Sequence, residues 1–133
     1  MMRSRMDRNA LISLIESLRI DRGEYCVIAS GALVLRGIWP DADDLDLAVT
    51  EEGLEQLRTS NKVLEDESGH YMIGDRVEFR VSDKNDWKTE VVDGYNVIDL
   101  EEYYKKISCS SREKDRERIP VIRNILENSG KYT

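Results

Sequence analysis

Apolar positions recur along the chain in two rhythms, one helical and one suited to strands. From Asp7, the residues Leu11, Ile12, Leu14, Ile15 and Leu18 fall on one face of a helix. That spacing predicts an N-terminal helix over residues 7–19, stopped by Arg22-Gly23. Tyr25 to Ala29 is a short unbroken apolar run and reads as a buried strand. Ser30-Gly31 then opens Ala32-Leu33-Val34-Leu35-Arg36, a short helix with Ser30 placed as its N-cap. Trp39-Pro40 breaks that helix into a loop over residues 37–43. Leu45 to Val49 reads as a second strand with Leu45, Leu47 and Val49 on its buried face. Thr50 can cap a helix running to about Thr59, with Glu51 and Glu52 where the helix dipole favours acids.

Further on, Lys62 to Glu65, His70 to Ile73 and Arg76 to Val81 read as three strands, turned by Glu67-Ser68-Gly69 and Gly74-Asp75. Asp83 to Gly94 reads as a loop around Trp87, and Tyr95 to Ile98 as a last short strand. Leu100 to Ser108 and Glu113 to Asn128 close the chain as helices, with Pro120 inside the second. No repeat or linker interrupts this order. The expectation is one domain over 1–133, with a sheet core about 25–98 and C-terminal helices about 100–128. Its class is α/β (α+β), a mixed β-sheet flanked by helices.

Composition narrows the setting. The chain has 133 residues, 40% hydrophobic and 35% charged, which suits a globular domain at the polar end of the range. No apolar run approaches the ~18–20 residues that cross a bilayer, and the N-terminus is too charged for a signal peptide. Two cysteines cannot staple a secreted scaffold, so the expected location is cytoplasmic, with both thiols reduced. The net charge is -7, but it is unevenly placed: 19 acidic and 6 basic residues lie between Asp41 and Glu102. An acidic middle with basic ends argues against a surface tracking a long nucleic-acid backbone. It is compatible with cations bridging carboxylates to a phosphorylated ligand.

Candidate chemistry concentrates in Asp41-Ala-Asp-Asp-Leu-Asp-Leu-Ala-Val49. On a strand Asp44 and Asp46 point the same way, with Cα atoms about 6–7 Å apart. Two such carboxylates repel, and a cation between them resolves the conflict. Mg²⁺ suits the pair, because it takes one or two carboxylates and completes its shell with water and phosphate oxygens. In Arg76-Val-Glu-Phe-Arg-Val81, Glu78 lies on the face opposite Val77, Phe79 and Val81. Beside the Asp44–Asp46 strand it would reach the same ions; otherwise it faces solvent between two arginines. An EF-hand loop from Asp41 fails, since Asp46 stands where glycine is needed. A haloacid-dehalogenase-type phosphatase also fails, because Ala48 stands where threonine follows Asp-x-Asp. A solvated acidic loop remains the plain alternative. Thirteen residues before Asp44, strand–Ser30-Gly31–helix has the form of a turn whose N–H groups meet an anion.

Together, Val27-Ile-Ala-Ser-Gly-Ala-Leu-Val-Leu-Arg-Gly37 and Asp44-Leu-Asp-Leu-Ala-Val49 resemble the nucleotidyltransferase superfamily, the polymerase-β-like fold. Lys106-Ile-Ser-Cys-Ser-Ser-Arg-Glu-Lys-Asp115 resembles the Lys…Arg-x-Lys-Asp stretch of its small bacterial and phage members. The resemblance implies a metal-dependent transferase moving a nucleoside monophosphate from a nucleoside triphosphate to a hydroxyl. Asp44, Asp46 and Glu78 would be catalytic and hold two Mg²⁺ (or Mn²⁺) ions; Ser30, Gly31 and Lys106 would bind nucleotide. Lys114 and Arg36 are further phosphate candidates. The acceptor would be a small molecule, a protein side chain or a tRNA end, without membrane involvement, and a homodimer could help to hold it. The alternative is a non-catalytic binding module of the same fold, as in a toxin–antitoxin pair. Ser30 departs from the usual first glycine of the turn, and Asp41 and Asp43 from the usual Arg and Ser or Thr.

His70, the only histidine, reads as a surface residue; Cys26 reads as core, and Cys109 has no nucleophile motif around it. Trp39 and Trp87 could stack on a base, but packing over the sheet edge is their ordinary role.

Overall fold

The computed structural model describes residues 4–128. In chain order the elements are α1 (Arg8–Ser17), β1 (Tyr25–Ile28), α2 (Ala29–Leu35), β2 (Leu45–Val49), α3 (Glu51–Ser60), β3 (Leu64–Glu65), β4 (Tyr71–Ile73), β5 (Val77–Val81), β6 (Thr89–Val92), β7 (Tyr95–Ile98), α4 (Leu100–Ser108) and α5 (Glu113–Asn128). The seven strands form one mixed sheet in the order β3-β4-β5-β2-β1-β7-β6. β2 runs antiparallel to β1 and parallel to β5, while β1 runs parallel to β7. The α+β class read from the sequence is the one observed.

Strand alternation divides the sheet into two unlike faces. Tyr25, Val27, Leu45, Leu47, Val49, Val77 and Phe79 share one face and are all buried. The helices α2 and α3 lie against that face. A Cβ on Gly31 would sit 3.2 Å from Val27 Cγ1, and one on Gly53 would sit 3.3 Å from Val49 Cβ. The opposite face carries Ile28, Asp46, Ala48, Glu78 and Arg80. On this side residues of α4 and α5 line a cavity together with Asp46 and Glu78.

Caps fix where the helices begin. Thr50 Oγ1 accepts the Gly53 N–H at 3.0 Å, as the sequence suggested, and the Asp7 carboxylate accepts the Ala10 N–H at 2.9 Å. Ser30 is not a cap: α2 begins at Ala29, its cap position is Ile28, and no side chain caps it. The chain turns from β1 into α2 through Ala29 itself, held at φ 58°. Helix α1 is shorter than expected and ends at Ser17, with Arg19 at φ 58° leading the chain away. The stretch expected as a loop over Asp83 to Gly94 contains a 3-10 turn at Lys84–Asp86 and the edge strand β6. Pro120 lies on an exposed position and α5 runs through it. Among the described residues, no helix is long and apolar enough to cross a membrane.

Candidate active site

Strand register brings the acids together. Asp46 on β2 lies directly opposite Glu78 on β5, and Leu45 N–H donates to Arg76 O at 2.7 Å to lock the start of the ladder. Asp44 stands two residues before Asp46, at the entry to β2. All three line one cavity of about 890 Å³ between the ends of β1, β2 and β5 and the helices α4 and α5. Burial pushes the Asp46 carboxyl up to about 6, helped by the charges of Glu78 and Asp44 and by a hydrogen bond with Glu78. The charge of His70 works in the other direction. Carboxylates crowded in this way repel one another, and the protonated form is favoured.

A divalent ion suits this donor set. Among the described residues, no group of three or more His, Cys, Asp and Glu side chains is gathered into a ready-made metal cage. Mg²⁺ does not need one, because one or two carboxylates suffice when phosphate oxygens and water complete the shell. Asp46 and Glu78 in register, with Asp44 beside them, therefore fit an ion that arrives with a phosphorylated ligand.

The proposed phosphate-binding residues divide. Ser30 lines the cavity at the start of α2, next to the left-handed Ala29. Gly31 is buried, and the direction a Cβ would take points to Val27 and Leu45, so its lack of a side chain serves helix–sheet packing. Lys106 lines the cavity from α4, and Lys114 lines it from α5 together with Arg112 from the connection. Arg36 does not reach it. Its Nη2 donates to Ile98 O at 2.8 Å and its Nη1 to Glu90 at 3.1 Å, which ties α2 to β6 and β7.

Three of the cavity residues were not assigned to the site from the sequence. Tyr103 stands close enough to Asp46 to feel its charge, and its hydroxyl accepts from Arg118 Nη1 at 3.3 Å. Arg118 is only 5% exposed, lies 3.9 Å from Asp115 and sits 5.5 Å beneath the Trp39 ring. The signal for it was present. Asp115, Arg118, Ile122 and Leu126 share the buried stripe of α5, and a charge within such a stripe needs a reason. The third, Arg5, comes from outside every motif. Of the tryptophans, Trp39 lines the cavity, whereas Trp87 donates to Ser82 Oγ at 2.8 Å elsewhere. His70 is half-buried beside Asp66, outside the cavity lining. Cys26 is core, and burial pushes its thiol up to about 12.

No protein-family model matches this chain, and no curated protein matches it. Two solved structures do. One is the protein JHP933 from Helicobacter pylori, at TM-score 0.54 and 13% identity over 80% of this chain and 58% of that one. The other, from H. pylori, is named as a candidate nucleotidyltransferase; it matches at TM-score 0.51 and 14% identity over 75% of this chain and 57% of that one. The chain thus spans somewhat less than three fifths of either neighbour. At such identities the likeness is one of fold, and the fold is nucleotidyltransferase-like.

Proposed function

We propose that this protein is a metal-dependent nucleotidyltransferase, moving a nucleoside monophosphate from a nucleoside triphosphate to a hydroxyl acceptor. The observation that carries the reading is the in-register placement of Asp46 against Glu78 at a cavity that Asp44, Ser30 and Lys106 also line. Among the described residues seven carboxylates and five cations line this cavity, and the Asp44, Asp46 and Glu78 cluster within it suits a ligand whose negative charge is partly neutralised by metal.

In this reading Asp44, Asp46 and Glu78 would hold two Mg²⁺ or Mn²⁺ ions. Bound metal supplies charge neutralisation at the phosphates and lowers the pKa of the acceptor hydroxyl. Ser30 and the backbone of the β1–α2 turn bind phosphate oxygens, and Lys106 and Lys114 stabilise the charge of the leaving pyrophosphate. The cavity holds the α-phosphorus in line with the acceptor oxygen. One phosphorus–oxygen bond forms to the acceptor as the bond to pyrophosphate breaks, and the hydroxyl proton leaves to solvent. A small hydroxylated molecule or a protein side chain suits the acidic middle of the chain better than a tRNA end.

The test is label transfer. Protein is mixed with Mg²⁺ or Mn²⁺, each α-labelled nucleoside triphosphate in turn and a cell extract as acceptor pool, with Asp44→Asn/Asp46→Asn run alongside. Label is expected on a product with the wild type alone. Calorimetric titration with the same triphosphates decides the case in which the extract lacks the acceptor. Wild-type protein that binds none of them in the presence of metal overturns the reading.

A further inference from the structure

The segment before α1 is part of the cavity. Met6 N–H donates to Ala42 O at 2.8 Å, and Ala42 N–H donates to Met6 O at 2.9 Å, with both residues buried. This one-bridge ladder lays the N-terminal strap along the loop that feeds Asp44 into β2. One residue earlier, Arg5 lines the cavity, and its Nε donates to Asp41 Oδ1 at 2.6 Å. The other described cations in the lining, Lys106, Arg112, Lys114 and Arg118, all come from α4, α5 and their connection. Arg5 forms its ion pair with an acid of the loop that leads into β2, Asp41.

We infer that Arg5 is a phosphate-contacting residue of this site, delivered by the strap and aimed by Asp41, and that it takes the polyphosphate of the nucleotide. The inference rests on the proposed function. A guanidinium presents five N–H donors in a rigid fork, and Asp41 engages the Nε arm, leaving the others for anion oxygens. Arg5 is half exposed in this pair, and exposed pairs add little to stability, so its consequence lies in where the cation is held. Placed there, it offsets the repulsion that an acidic loop would otherwise exert on a triphosphate. The loop's negative charge then becomes the means of positioning a cation.

Calorimetry of the full chain with Mg²⁺ and ATP, and with Mg²⁺ and inorganic tripolyphosphate, separates this role from a merely structural one. Arg5→Gln should weaken both ligands about tenfold, as the loss of one charge-assisted hydrogen bond to phosphate does. Asp41→Asn should tighten them about threefold, because the released guanidinium turns wholly to the ligand while one repelling charge is gone. In Arg5→Gln/Asp41→Asn that gain should vanish, and thermal midpoints should stay near the wild type throughout. If the pair only braces the loop, Arg5→Gln and Asp41→Asn shift affinity in the same direction. That result overturns the inference, as does a gain that survives in the double variant, or Arg5→Gln binding like wild type. Wild-type protein that binds neither ligand removes the proposed function and this inference together, whereas binding that ignores Arg5 removes this inference alone.

Discussion

The Asp46 carboxyl, pushed up to about 6 by burial and by its acidic neighbours, ties stability to pH. Its ordinary value is 3.8, so between these two the folded chain binds more protons than the unfolded one, and stability falls as pH rises. The contribution is complete below pH 4 and is lost through pH 6. Partial solvent access reduces it to about 1–2 kcal/mol. Asp46→Asn cannot ionise, so its stability relative to wild type should rise by that amount from pH 4 to pH 7 in metal-free urea titrations. A difference independent of pH would contradict the placement of Asp46. Ala29 allows a second check at the same scale. A left-handed alanine is strained by about 1–2 kcal/mol, and glycine relieves this at some cost in unfolded-chain entropy. Ala29→Gly should therefore stabilise the chain by up to about 1 kcal/mol in the same titration. The sequence placed the strand-to-helix turn correctly but misjudged its special residue. Ser30 looks like a cap by residue type, while a positive φ at alanine leaves no mark in a sequence.

Elements with a free side were legible, and elements without one were not. Helices α1, α3 and α4 have one wet face, so their apolar spacing, with the Thr50 cap at α3, marked their positions to within a residue or two. In α2, five consecutive residues from Gly31 to Leu35 are buried, which leaves no periodicity from which to read its start. Strand β6 escaped for the opposite reason. At the sheet edge Thr89 and Val91 are exposed, so no alternation of apolar and polar types marks the segment. Its signal lay in Asp93-Gly94, at φ 52° and 87°, the dipeptide that favours a tight hairpin. The α4–α5 hairpin carries its own prediction. Arg118→Met leaves the buried Asp115 without its cation and should lower stability by about 3 kcal/mol. Adding Asp115→Asn should restore part of that loss, since the unpaired charge goes too. A double-mutant cycle with no coupling would deny the pair.

For the molecule as a whole, strand order was the least legible property. β2 and β5 are parallel, and parallel neighbours are joined by a crossover that no local pattern announces. Yet that one pairing creates the candidate site, since Asp46 and Glu78 lie 32 positions apart in the sequence. A ligand spanning both strands and the α4–α5 hairpin should hold the molecule together. At a hundredfold excess over its Kd, Mg²⁺-triphosphate should add about 2.7 kcal/mol of stability, roughly 10 °C in Tm. Scanning calorimetry with and without ligand reads this directly, and an unmoved Tm at saturation would exclude a site that spans those elements.

The β2–β5 ladder also acts as a gauge. Sliding β5 by one residue against β2 would turn Glu78 into the face occupied by Leu45 and Leu47, and would drive Phe79 out among the acids. Burying a carboxylate and wetting an aromatic ring are both penalised, so misalignment is unstable before it is inactive. Val77 and Phe79, which touch no ligand, thereby set the tolerance to which the acidic pair is machined.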